Sequence, residues 1–209
     1  MASTEKLLDG FKRFHKQYFR DDSRLYDSMK NGQPAKIMMI ACCDSRVDPA
    51  ILTDCGPGDL FIVRNVANIV PPCENEGHFH GTSAALEFAV NYLKVDNIIV
   101  MGHANCSGIQ VLWEDDGQPH SQFIQPWVSI ADRAKKKVLI EKAELTKVEQ
   151  LRACEQESIL VSLENLLTFK CIKKRLDQGK LTLHGWYFDV RQGELLSYQP
   201  ENDAFKPVR

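Results

Sequence analysis

Three short runs, Lys36–Ala41 (KIMMIA), Leu60–Val63 (LFIV) and Asn97–Met101 (NIIVM), are apolar almost without interruption. A strand with one wet face alternates apolar and polar residues. A continuous apolar run instead fits a strand buried on both faces, as in a parallel sheet covered by helices. Between the second and third runs, Gly81–Lys94 places Ala85, Phe88, Ala89, Tyr92 and Leu93 on one helical face. That alternation predicts an α/β fold.

Further along, Ser121–Leu139 keeps a helical period through Phe123, Ile124, Trp127, Val128, Ala131 and Val138. Thr146-Lys147-Val148-Glu149 is a capping-box sequence, opening a helix expected to run to about Phe169. Leu181–Val190 and Glu194–Tyr198, joined by Arg191-Gln192-Gly193, read as an antiparallel strand pair. Upstream, Thr4–Tyr18 with Phe19 carries Leu7, Leu8, Phe11, Phe14 and Tyr18 at helical spacing, a stripe that packs on the same core or on a partner subunit. Asn31-Gly32-Gln33-Pro34 then breaks the chain. With 209 residues there is room for one generous domain. The expectation is a helical arm over residues 1–30 and an α/β core over 33–200, its sheet mostly parallel with an antiparallel edge and flanked by helices.

A formal net charge of −2 gives no footprint for nucleic acid or an anionic membrane. No apolar run approaches the roughly 20 residues needed to span a bilayer. The polar start, Met1 to Lys6, has no secretory pattern. The seven cysteines are odd in number and not densely spaced, so a reducing cytoplasm is expected, where clustered cysteines suggest metal or catalysis.

Two segments hold the chemistry. Ala41-Cys42-Cys43-Asp44-Ser45-Arg46 follows the first core strand, and Gly102-His103-Ala104-Asn105-Cys106 follows the third. In open parallel sheets ligands bind beyond the carboxyl ends of the strands, where the strand order reverses, so these segments can meet. Two thiolates and an imidazole suit zinc, and three protein ligands leave a fourth position for water. Cys42 alone would be a buried small hydrophobe, and His103-x-x-Cys106 alone is a weak signal. Their placement at equivalent strand ends carries the reading. Cys43 is expected to point the other way, into core packing. Asp44 and Arg46, two apart on an extended segment, should project to one side and form a forked ion pair. His184, inside a strand, reads as a satisfied core histidine, and His78 and His80 as surface loop residues. Cys55, Cys73, Cys154 and Cys171 show no ligand spacing.

Cys42-x-Asp44-Ser45-Arg46 followed by His103-x-x-Cys106 resembles the signature of the β-class carbonic anhydrases. The similarity extends through Pro57-Gly58-Asp59 and Arg64-Asn65-Val66-Ala67-Asn68 to Leu183-His184-Gly185-Trp186, covering most of the chain from Gln33 to Tyr198. It implies one Zn2+ per chain, held by Cys42, His103 and Cys106, and reversible hydration of carbon dioxide to bicarbonate by zinc-bound hydroxide. It further implies that Arg46 directs Asp44 to orient that hydroxide, and that Asp44 becomes a fourth metal ligand only in a closed state. Gln33, Phe61, Val66 and Phe88 match substrate-pocket positions, Phe88 standing where plant-like members have tyrosine. Ser107 stands where glycine is usual. A homodimer or homotetramer is implied, with the site near a subunit boundary. Two other readings share these residues: a carbonyl sulfide or carbon disulfide hydrolase, and a non-enzymatic zinc protein with a closed four-ligand site.

Overall fold

The computed structural model describes residues 3–74, 80–114 and 121–208. His78 lies outside the described residues. The strands are β1 (Ile37–Cys42), β2 (Leu60–Asn65), β3 (Asn97–His103), β4 (Thr182–Asp189), β5 (Glu194–Gln199) and β6 (Ala204–Pro207). The helices are α1 (Glu5–His15), α2 (Arg24–Met29), α3 (Pro49–Leu52), α4 (Gly81–Phe88), α5 (Ser107–Glu114), α6 (Ile124–Val128), α7 (Asp132–Glu141), α8 (Lys147–Leu166) and α9 (Lys170–Asp177). One six-stranded sheet runs in the order β2-β1-β3-β4-β5-β6. The first four strands are parallel, while β5 and β6 form an antiparallel edge. This is the α/β architecture the apolar runs predict.

The chain leaves β1 for β2 on one side and returns to β3 on the other. The strand order therefore reverses between β1 and β3, and both strands end at the same margin of the sheet. β1 and β3 are buried on both faces, as their composition requires. β2 is not. Among the described residues it is the sheet's edge, half-buried along its length, with Ile62 exposed. The main core lies between one sheet face and helices α4, α8 and α9, with Met38, Ile40, Ile98, Val100, Leu86 and Ile159 at its centre.

The capping box forms as the sequence predicts: Glu149 N–H donates to Thr146 Oγ1, and Thr146 N–H donates to Glu149 Oε2. The following helix, α8, lies unusually close to the sheet. A Cβ on Gly102 would come within 2.8 Å of Ile159 Cδ1, and one on Gly185 within 3.1 Å of Ile159 Cγ2. The helix expected over Ser121–Leu139 is divided into α6, a 3-10 turn at Ser129–Ala131, and α7. Ser129 Oγ donates back to the Pro126 carbonyl at 2.9 Å, a local bond that competes with regular helix. The N-terminal stripe finds no core of its own: α1 has no buried residue, and Leu7 and Phe11 are 72% and 60% exposed. Phe14, Tyr18, Phe19 and Tyr26 instead cluster with one another across the arm. No helix among the described residues is long and apolar enough to cross a membrane.

Candidate metal centre

Cys42 is the last residue of β1 and His103 the last of β3, so neighbouring strands deliver both to one margin of the sheet. After His103 the ladder continues for one more bond, from Ala104 N–H to the Phe188 carbonyl at 2.9 Å. Asn105 then takes a left-handed conformation, φ +56°, and turns the chain into α5. Asn tolerates this region better than most residues other than glycine. The start of α5 is pressed against the turn after β2: a Cβ on Gly108 would lie 2.8 Å from Val66 Cγ1 and 2.9 Å from Ala67 Cβ.

One ligand atom from each of Cys42, His103 and Cys106 falls within a cluster no wider than 4.8 Å, and the two sulfurs are 3.8 Å apart. All three residues are buried, and neither cysteine is in a disulfide. The His103 ring lies with Nδ1 3.0 Å from the Ala104 carbonyl. A carbonyl only accepts, so Nδ1 carries the proton and Nε2 presents its lone pair. That Nε2 is buried with no hydrogen-bond partner. A buried nitrogen lone pair beside two soft thiols is costly alone and satisfied by a cation. The thiols point the same way. The Cys106 S–H stabilises a Cys42 thiolate, pulling Cys42 down to about 4, while that same partner and then burial push Cys106 well above the ordinary thiol range. One proton leaves easily and the second only when another positive charge replaces it. The donor set fits zinc.

Asp44 stands just beyond Cys42, its own N–H donating to Cys42 Sγ at 3.4 Å. Arg46 grips its carboxylate through Nε to Oδ1 at 2.9 Å and Nη2 to Oδ2 at 2.6 Å. The hydrogen bonds of the Arg46 guanidinium hold the Asp44 carboxyl well below the usual carboxylate range against the pull of burial. The predicted pair is present, but a turn makes it rather than an extended segment. Arg46 N–H donates to Asp44 Oδ1 at 2.9 Å, and Val47 N–H to the Asp44 carbonyl at 3.2 Å. That turn also corrects the reading of Cys43, which is exposed rather than packed in the core, because β1 ends at Cys42 and no sheet face continues beneath it.

Two residues supporting the site were not singled out from the sequence. Arg64 donates to the carbonyls of Cys42 at 2.8 Å and Asp44 at 2.6 Å while pairing with Asp48 at 2.9 Å, fixing the backbone on either side of Cys43. Glu155 of α8 is buried, accepting from Cys106 N–H at 3.0 Å and from the Tyr187 hydroxyl at 2.7 Å. Arg64 was visible within the Arg64–Asn68 motif. Glu155 lies in a polar stretch, Cys154-Glu155-Gln156-Glu157, that resembles a solvated helix face, so only the close seating of α8 reveals it.

Burial pushes the Glu155 carboxyl up, its two hydrogen bonds offsetting this only in part. A carboxyl raised in the folded state contributes stability that is complete below the unfolded pKa and fades as pH rises through the folded one. Glu155→Gln keeps an acceptor for Cys106 N–H and a donor for the Tyr187 oxygen without burying charge. The variant should therefore gain on wild type as pH rises above the ordinary carboxylate range, by on the order of 1 kcal/mol. Thermal melts of both proteins across that rise measure the gap; a gap independent of pH would show that Glu155 is not shifted.

The pocket positions do not gather around the metal trio within one chain. Val66 does lie at this end, against α5. Phe61, however, is in register with Met38, four residues back from the Asn65–Cys42 pair, or roughly 13 Å along the strand. Phe88 goes with Phe61, their ring centroids 5.8 Å apart, and Gln33 is exposed on the segment leading into β1. His184 is satisfied as expected, 2.9 Å from Asn97 Oδ1, though half-buried rather than in the core.

The family model for carbonic anhydrase matches residues 37–195, a span that contains the metal trio and the Asp44–Arg46 pair. The chain belongs to the β-carbonic anhydrase family. It is 43% identical over 187 residues to beta carbonic anhydrase 5, chloroplastic, of Arabidopsis thaliana. That alignment covers 88% of this chain and 61% of the relative, so the chain spans only about three-fifths of that relative's length. Among solved structures, the β-carbonic anhydrase CcaA superposes with a TM-score of 0.92 at 32% identity, over 99% of this chain and 100% of that one. A tetrameric β-carbonic anhydrase of the fungus Sordaria macrospora gives 0.76 at 26% identity, over 93% of this chain and 92% of that one.

Proposed function

We propose that this β-carbonic anhydrase family member binds one zinc ion through Cys42, His103 and Cys106 and catalyses the reversible hydration of carbon dioxide to bicarbonate and a proton. The observation that carries the reading is the buried, unpartnered His103 Nε2 beside two free cysteine sulfurs: three zinc donors, one short of zinc's usual four. Bound there, zinc would supply Lewis-acid activation of a water molecule, bringing its pKa to about 7.

The remaining roles fall to the chain's own groups. Asp44, kept ionised and directed by Arg46, accepts a hydrogen bond from the attacking water and turns its lone pair toward the carbon of CO2. One C–O bond forms, the water's proton passes to solvent or buffer, and bicarbonate leaves. Val66 offers an apolar wall suited to a nonpolar gas. Arg46 also opposes the reading of a closed, non-enzymatic zinc site, because both Asp44 oxygens are already engaged by the guanidinium. Stopped-flow CO2 hydration on protein of known zinc content tests the proposal. Zinc-loaded protein that does not accelerate the reaction over buffer would end it.

The distance between the metal trio and Phe61, Phe88 and Gln33 supports assembly of the pocket from two copies, a partner supplying what this chain holds at the far end of β1 and β2. The exposed stripe of α1 is the surface this assembly would cover. Sedimentation at micromolar concentration is expected to show an even oligomer, a dimer or tetramer. A fully active monomer would contradict a shared pocket.

A further inference from the structure

Arg46 is held from two sides. Besides its fork on Asp44, its Nη2 donates to the carbonyl of Asn105 at 3.0 Å. That carbonyl belongs to the left-handed residue between the ligands His103 and Cys106, so its direction depends on whatever keeps Asn105 in place. The side chain of Asn105 is itself captured: Arg191 Nη2 donates to Asn105 Oδ1 at 2.6 Å. Arg191 has a firm mounting. It sits in the β4–β5 turn, its N–H donating to Asp189 Oδ1 at 2.9 Å, and the buried Asp189 is held through Oδ2 by Arg152 of α8 at 2.6 Å.

We propose that Arg191 and Asn105 are positioning residues for the Asp44–Arg46 pair, the turn between β4 and β5 steadying the guanidinium through the metal-ligand loop. The Asp44 backbone is anchored by Arg64 and by its N–H on Cys42 Sγ, but the Arg46 guanidinium reaches beyond the turn through the Asn105 carbonyl, so without this support the two side chains stay paired and can swing together. The Asn105 carbonyl ties the Arg46 guanidinium to the ligand loop; its peptide is held by Glu155 through Cys106 N–H, and Arg191 adds a second hold through the Asn105 side chain. The Arg191–Asn105 contact is exposed and contributes little to global stability. Its effect is on direction.

The inference rests on the proposed CO2 hydration, and one part of its test does not. In zinc-loaded full-length protein, Arg191→Ala is expected to keep its zinc and its melting temperature while kcat falls about two- to fivefold, as loss of one exposed charge-assisted contact allows. KM should not change. In an Arg46→Ala background the same substitution should have no further effect, because the group it positions is gone. Arg191→Lys, which keeps a charged donor for Asn105 Oδ1, should lose less kcat than Arg191→Ala. Independently of activity, the Arg46 Nε–H resonance of 15N-labelled protein should broaden and exchange faster with water in Arg191→Ala. A wild-type Arg46 resonance in Arg191→Ala would overturn the proposal, as would an equal fall in kcat with and without Arg46. If zinc-loaded wild type does not hydrate CO2, the functional reading fails while the Arg46 resonance still decides the positioning role.

Discussion

Replacing Cys106 with alanine should strip zinc from the purified protein and take CO2 hydration with it. The argument comes from what the buried trio contains when only protein surrounds it: an imidazole Nε2 with no partner and two sulfurs that can release one proton easily but not two. A divalent cation satisfies the nitrogen and replaces the second proton, so most of its binding free energy depends on all three donors being present. With one removed, zinc should drop from about one per chain to nearly none, and activity should fall in proportion. Cys42→Ala and His103→Ala should do the same. Cys43→Ala is the control: Cys43 is exposed and outside the cluster, so zinc should remain. Metal analysis after gel filtration decides the matter. Zinc retained in Cys106→Ala and lost in Cys43→Ala would overturn the ligand assignment.

The second large effect is expected at the turn beyond Cys42. Arg46→Ala removes both guanidinium bonds to the Asp44 carboxylate, leaving the backbone N–H on Oδ1 and freeing Oδ2 beside a cation site. Zinc should stay, since its three ligands are untouched, while activity falls by about 10- to 100-fold, the range for losing a group that orients a metal site. Asp44→Asn should reach a similar loss by another route. The amide oxygen can still accept from Arg46, but the charge that accepts the attacking water's hydrogen bond is gone. X-ray absorption at the zinc edge separates the two, because only Arg46→Ala frees a carboxylate to bind the metal and add a protein oxygen. If both variants kept wild-type activity from about pH 6 to about pH 9, the role given to the pair would be wrong, although the metal trio could stand.

Much of this was legible in the sequence because the relevant signals are local. Continuous apolar runs marked β1 and β3, and the ligand motifs sat at their ends, so adjacency in a parallel sheet was enough to bring them together. The elements that were missed have weak local signals. β6 is four residues ending in Pro207 and exists by pairing with β5, and α9 is a mostly charged segment whose buried contact is Ile172. Asp44 and Arg46 were paired correctly for the wrong geometric reason, since an extended segment and an aspartate-nucleated turn both bring residues two apart together. Glu155 and Arg191 were beyond reach, because what they do depends on how closely α8 and the β4–β5 turn approach the ligand loop.

The reversal of strand order between β1 and β3 has a consequence for how the proposed zinc ion would be acquired. Cys42 and Cys106 are 64 residues apart, and the ligand set does not exist until β3 has docked beside β1 across the excursion to β2. Such distant pairing is slow compared with helix formation, so the three donors come together late in folding. Under the proposed zinc binding the cation would meet a formed socket, its imidazole already turned by the Ala104 carbonyl and its loop already held by Glu155. Little ordering is left for binding to offset, which favours tight capture at low free zinc. Until that docking is complete, both thiols are open to solvent, and the newly made chain is most vulnerable to oxidation in that interval.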